Sequence, residues 1–313
     1  MNIPGRSCPL DYNIDQSLFA KKENDIICDT VYIVGGLYGN YQALEEIDKI
    51  VKSEKSDCII IFNGDIHWFD KDYEDFVRIE NFVRTHIPLL GNVESELIRD
   101  KDINVGCGCS YPGCVDDDVV KRSNIIHQEM KDMVDINSKI KDEIKKRQKI
   151  CIVKVGDKRI AITHGDEKSL AGWECSRENL LDINRQNELI SWFKDNDIDV
   201  IASTHTCAPV ALKLENFAVI NNGASGMPNF KDKHYGIITR ISKCKSEKAI
   251  YSSKIDYIYI EALAVNYNIN EFVDWFDNVW PNNSPASISY RERIIKGTAD
   301  NIEDAILSGF EIN

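Results

Sequence analysis

A short apolar run, a glycine turn and an amphipathic helix follow one another repeatedly in the first third of the chain. This order constrains the fold more than any other feature. Val31-Tyr32-Ile33-Val34 leads into G-G-L-Y-G-N and the helical stretch Q-A-L-E-E-I-D-K-I-V. Cys58-Ile59-Ile60-Ile61-Phe62 leads into N-G-D-I-H-W-F-D and a helix around Tyr73 to Arg84. Ile87-Pro88-Leu89-Leu90 leads into G-N-V-E-S-E-L. Buried strands that alternate with helices specify an α/β fold around a central sheet.

The pattern breaks over residues 101–148, where G-C-G-C-S-Y-P-G-C is followed by a polar helix from roughly Asp116 to Lys146. This segment reads as an inserted helical cap. Strands return at Lys149–Val155 and Arg159–Thr163, then at Asp199–Ala202, Val210–Leu214 and Phe217–Ile220, with a helix near Arg177–Asp195 and two more strands after Tyr235. Residues 265–313 read as a C-terminal helical extension. With no repeat and no linker, residues 1–313 are expected to form a single domain.

Composition narrows the partners. Lysine and arginine number 38 against 51 acidic residues, a formal net charge of −13. A surface that acidic repels nucleic acid and anionic membrane. It still admits an anionic substrate where a bound cation reverses the local field. No stretch approaches the roughly 18 apolar residues of a membrane span. The N-terminus lacks the basic and apolar regions of a signal peptide, and ten scattered cysteines are not a compact disulfide framework. The expectation is a cytoplasmic protein.

Polar residues collect where strands end. Asp65 and His67 follow the second strand, Asn92 and Glu94 the third, His164 and Asp166 the strand at 159–163, and His205 and Cys207 the strand at 199–202. Strand C-termini of open α/β sheets line one edge, where sites are built. A carboxylate, an amide oxygen and imidazoles converging there would make a mixed N/O transition-metal site.

The order G-D, G-N, H-G and H-T, with N-x-G-x-S after it, resembles the calcineurin-like metallophosphoesterase family over roughly Val31 to Ile238. The resemblance implies a four-layered α/β/β/α sandwich and a two-metal centre that hydrolyses phosphoesters with metal-activated water. It also implies that Asp65, Asn92, His164 and His205 are the ligands of one metal. The other half departs from the family. In its D-x-H-G-N motif, Gly36 stands for the aspartate and Tyr38 for the histidine. Cys207 replaces the last histidine of G-H-T-H, and Val93 replaces the histidine of G-N-H that assists the leaving group.

Three outcomes are open: one remaining metal, a second metal rebuilt on Tyr38 and Cys207 with Asp65 and His67, or a catalytically inactive protein that keeps the cleft to bind a phosphorylated ligand. The cofactor expected is manganese, iron or zinc, one or two per chain. The partner expected is a small phosphorylated substrate or a phosphoprotein. His67 and Glu94 are the catalytic candidates, Glu94 as a general acid or base if it faces the cleft. Asn40 and Asn222 are the candidate substrate contacts. Cys107, Cys109 and Cys114, with His127, have the residue types of a zinc site but read as ordinary thiols in a Gly/Pro turn.

Overall fold

The computed structural model describes residues 2–21, 25–136 and 138–313. Two seven-stranded sheets form its middle. The first runs β1 (Ile26–Cys28), β5 (Ile150–Val155), β6 (Lys158–Thr163), β7 (Val200–Ser203), β9 (Phe217–Asn222), β8 (Pro209–Leu214) and β13 (Ile306–Ser308). The second runs β14 (Glu311–Ile312), β11 (Ala249–Ile255), β12 (Ile258–Val265), β10 (Gly236–Ser242), β2 (Thr30–Val34), β3 (Cys58–Asn63) and β4 (Ile87–Leu89). β2, β3 and β4 are parallel neighbours, as are β6, β7 and β9.

Alternation along the strands separates the layers. Val31 and Ile33 join Ile160, Ile162, Val200 and Ile220 in a core between the sheets. Tyr32 and Val34 point the other way, into a second core with Leu44 and Ile47 of α2 (Tyr41–Lys52) and Phe76 and Ile79 of α3 (Tyr73–Val83). On the outside of the first sheet, Ala161, Ile201 and Val219 pack with Phe19 of α1 (Ser17–Ala20), Leu180 of α7 (Arg177–Leu180), and Leu189 and Phe193 of α8 (Ile183–Asn196). The layers are therefore helix, sheet, sheet, helix, the α/β/β/α sandwich expected.

Between β4 and β5 lie α4 (Asn92–Leu97), α5 (Asp117–Asp135) and α6 (Ser138–Ile144). The helix expected over 116–146 is thus two helices; Asn137 between them is outside the described residues. Ile126, Met130 and Val134 of α5 join the core beneath the second sheet, along with Phe272 and Phe276 of α9 (Ile269–Val279) and Ile294 of α10 (Pro285–Lys296). The C-terminal extension is helical only in part. Gly297 caps α10 at φ 80°, a conformation glycine adopts without a Cβ penalty. The chain then adds β13 beside β8 and β14 beside β11, one to each sheet. Between Tyr235 and α9 there are three strands rather than two, because β11 and β12 form a hairpin beyond β10.

Candidate metal centre

Four loops from two sheets meet at one place. β3 ends in Gly64-Asp65, β4 in Gly91-Asn92, β6 in His164, and β7 in Thr204-His205. Glycine is required where the first two loops touch. A Cβ on Gly64 would lie 2.5 Å from Gly91 Cα and 2.7 Å from His164 Nδ1, and one on Gly91 would lie 2.6 Å from Asp65 Oδ1. The two sheets are tied across the same point. Asn63 Nδ2 donates to the Thr163 carbonyl at 2.8 Å and lies 3.1 Å from Thr204 Oγ1, to which it also donates.

Hydrogen bonding orients each ligand atom. His164 Nδ1 lies 2.7 Å from the Asn63 carbonyl, and His205 Nε2 lies 3.1 Å from the Cys109 carbonyl. A carbonyl only accepts, so those two nitrogens carry the protons and the opposite nitrogens carry lone pairs. Asn92 Nδ2 donates to the Cys107 carbonyl at 3.0 Å, which turns Oδ1 inward. His164 Nε2 then faces Asn92 Oδ1 at 3.1 Å, Asp65 Oδ1 at 3.3 Å and His205 Nδ1 at 3.3 Å. Ligand atoms of Asp65, His164 and His205 all lie within 4.8 Å of one another, and among the described residues theirs is the one group of three or more His, Cys, Asp and Glu that does so.

Four inward acceptors with no donor between them form an arrangement that a cation satisfies. Atoms bonded to one ion at about 2.1 Å with tetrahedral to octahedral angles lie roughly 3.0–3.4 Å apart, and the three distances from His164 Nε2 fit that range. A proton on His164 Nε2 competes with an ion for the same place. Burial alone would lower His164, but the charge and hydrogen bond of Asp65 raise it. Burial, then the neighbouring His164, pushes His205 down to about 3 and keeps it neutral. Burial alone would raise Asp65, and the two histidines hold it low instead.

A model of the calcineurin-like phosphoesterase family matches residues 25–209. The chain belongs to that family. Its fold is similar to that of a hypothetical protein from Pyrococcus horikoshii OT3, with a TM-score of 0.59, 14% identity, and 88% of this chain and 100% of that one covered. It is similar too to a metallophosphoesterase from Sphaerobacter thermophilus, with a TM-score of 0.53, 14% identity, and 86% and 100% covered. No curated protein matches the sequence.

In this calcineurin-like chain the other site residues inferred from the sequence fall into different places. Tyr38 and Cys207 do meet, with Oη and Sγ 2.7 Å apart. They bond to each other, and Cys207 is outside the Asp65–His164–His205 group. Tyr38, Asp65 and Cys207 all have positive φ, 55°, 51° and 56°, a left-handed conformation that is costly for a non-glycine residue.

Both ring nitrogens of His67 are engaged by carboxylates outside the Asp65–His164–His205 group. Its Nδ1 donates to Asp70 at 2.6 Å and its Nε2 to Glu80 at 2.7 Å, and the ring stacks on Phe76. Burial opposes its charge, but Asp70 and Glu80 push it up to about 9, and an imidazolium has no lone pair to offer. Glu94 is engaged by backbone. Its oxygens accept from the backbone N–H groups of Asp65, Ile66 and Gly91 at 2.8–2.9 Å.

The two asparagines also serve the scaffold. Asn40 caps α2 through Ala43 N–H and donates to the Gly226 carbonyl. Asn222 accepts from Thr204 and donates to the Gly35 and Ile237 carbonyls. Every side-chain polar atom of both is engaged within the scaffold, and both residues are fully buried. Cys107 and Cys109 are buried, Cys114 is exposed, and His127 donates to the Val93 carbonyl. They form no zinc set among the described residues.

A cavity of about 200 Å³ opens beside Asp65 and His205. Trp173, Tyr290 and Arg293 line it. Trp173 carries no motif that would have marked it in the sequence. Tyr290 and Arg293, three residues apart on α10, share a helix face, but nothing local says that the face turns toward the metal cluster.

Proposed function

We propose that the protein is a phosphoester hydrolase working with a single transition-metal ion, manganese, iron or zinc, held by Asp65, Asn92, His164 and His205. The reading is carried by the pair of lone-pair nitrogens, His164 Nε2 and His205 Nδ1, facing each other at 3.3 Å beside one carboxylate and one amide oxygen. Such an ion supplies Lewis acidity toward a phosphoryl oxygen and lowers the pKa of a coordinated water. The chain's own groups hold the ligands in place beforehand: carbonyls fix both imidazole tautomers, and Glu94 fixes the Asp65 backbone. Segment 101–148 contributes Cys109, Tyr111 and Val119 to the cavity wall, which supports its role as a cap that admits small substrates. All ten cysteines are free thiols, which supports a cytoplasmic location. The Tyr38–Cys207 hydrogen bond favours one ion over two, because each would-be second ligand is satisfied by the other.

A second reading is a non-catalytic protein that binds a small phosphorylated ligand or a phosphoprotein. Apolar Val93 in the cavity wall favours it, since that position offers no proton to a leaving group. The deciding experiment measures hydrolysis of a broad phosphoester panel against metal content for wild type and Asn92→Ala. Turnover proportional to metal and lost in the variant supports the hydrolase. Metal-loaded wild type that phosphorylated ligands stabilise but that turns over no ester in the panel supports the second reading.

A further inference from the structure

The cavity beside the metal cluster has a chemistry of its own. At about 200 Å³ it falls below the roughly 300–1,000 Å³ of sites that enclose a drug-sized ligand. Away from the cluster its wall is apolar and aromatic: Trp68, Val93, Tyr111, Trp173, Met227 and Tyr290. Trp173 is anchored by its Nε1–H to the Cys109 carbonyl at 3.2 Å and meets the His205 ring edge-on at 5.3 Å. Trp68 meets Tyr290 edge-on at 6.4 Å.

One cation enters this wall. Arg293 Nε donates to the Pro228 carbonyl at 2.9 Å and Nη2 to the Cys207 carbonyl at 3.1 Å. These bonds hold the guanidinium against the loop that carries His205. Among the described residues Arg293 pairs with no carboxylate, whereas Arg291, two residues before it, is bound by Asp277 at 2.7 and 2.8 Å. In a chain of net charge −13, a partly buried guanidinium left without a carboxylate is a seat for an anion.

We propose that this cavity is the subsite for a small aryl phosphomonoester, with Arg293 on the phosphoryl oxygens and the aromatic wall around the ring. For turnover the proposal rests on the hydrolase reading; for binding it does not. The wall offers no imidazole or carboxylate outside the metal cluster, so a departing oxygen receives no proton from a strong acid. An aryl oxide, whose phenol ionises at about pH 10 as tyrosine does, departs without that help far more readily than an alkoxide. In the reaction a water oxygen bonds to phosphorus, the bond from phosphorus to the aryl oxygen breaks, and its electron pair leaves on that oxygen. The water's protons are shared between the products, inorganic phosphate and the phenol.

The test is calorimetric titration of metal-loaded protein with phenylphosphonate and methylphosphonate, which share a charged head and are not hydrolysed. Phenylphosphonate should bind at least ten-fold more tightly. Arg293→Gln should weaken both at least ten-fold with metal content unchanged, while Arg293→Lys keeps part of the affinity. Val119→Phe, which fills the cavity from α5, should weaken phenylphosphonate alone. Equal affinity for the two probes, or unchanged binding in both Arg293 variants, overturns the proposal. If Arg293→Gln does not fold, the other two variants decide. Tight phenylphosphonate binding without hydrolysis of phenyl phosphate would remove the hydrolase reading and leave the subsite standing. Hydrolysis of alkyl phosphates with no preference for phenylphosphonate would remove the subsite alone.

Discussion

Glu94 grips the backbone of Asp65. One carboxylate oxygen accepts from the Asp65 N–H at 2.9 Å and the other from the Ile66 N–H at 2.8 Å. Asp65 sits at φ 51°, a left-handed conformation that costs a non-glycine residue of order 1–3 kcal/mol. The buried carboxylate holds it there and so aims the side chain at His164. Partners of this kind around a ligand are typically worth 10–100-fold in metal affinity. Glu94→Ala is therefore expected to weaken metal binding by about that factor, read by titration with a competing chelator. Unchanged affinity would show that the loop holds Asp65 without the clamp.

Metal should stabilise the fold. The inward acceptors of Asp65, Asn92, His164 and His205 come from four loops on two sheets, so an ion between them joins the sheets. At a hundred-fold excess over Kd, binding adds about 2.7 kcal/mol to the native state. Thermal unfolding with and without a chelator should show the rise in wild type and no rise in His164→Ala. Identical melting in both conditions for wild type would count against the cluster as a metal site.

Cys207 should be dispensable for metal. Its sulfur is 2.7 Å from Tyr38 Oη and outside the ligand group. Elemental analysis of untagged protein is expected to give about one ion per chain in both wild type and Cys207→Ala. Two ions falling to one in the variant would establish a rebuilt second site.

The His67–Glu80–Arg147 cluster should set acid stability. Arg147 Nη2 lies 2.6 and 2.5 Å from the Glu80 oxygens. Burial alone would raise Glu80, but His67 and Arg147 hold it at about 2, against 4.5 for a free glutamate. A depressed carboxylate contributes stability that is whole above pH 4.5 and lost as pH falls toward 2. Glu80→Gln leaves buried charges unpaired and is expected to cost about 3–5 kcal/mol at neutral pH. Chemical denaturation from pH 7 to pH 3 checks both; a loss below 1 kcal/mol would mean that water reaches the cluster.

Much of the fold and the central ligand set could be read from residue order. Asp65, Asn92, His164 and His205 each lie within three residues of a strand's C-terminal end, and Gly64 and Gly91 mark where two loops pass within van der Waals contact. Position along a strand fixes which edge a residue reaches, and that is local information. What a side chain does at that edge depends on groups from elsewhere in the chain. His67 has the D-x-H spacing of a ligand, but Glu80, from the next helix, takes one of its nitrogens. Glu94 could have faced the cleft; the N–H groups of another loop turned it away. Tyr38 and Cys207 are 169 residues apart and meet only because the sheets stack. Arg293 reaches the cavity only because α10 packs against α5 beneath the second sheet. Residue order alone indicated an α/β fold with polar residues at its strand ends, and the family resemblance supplied the sandwich and singled out four of those residues. Tertiary structure decided which polar atoms stay free there, because a hydrogen bond is settled by whichever partner packing brings within 3 Å.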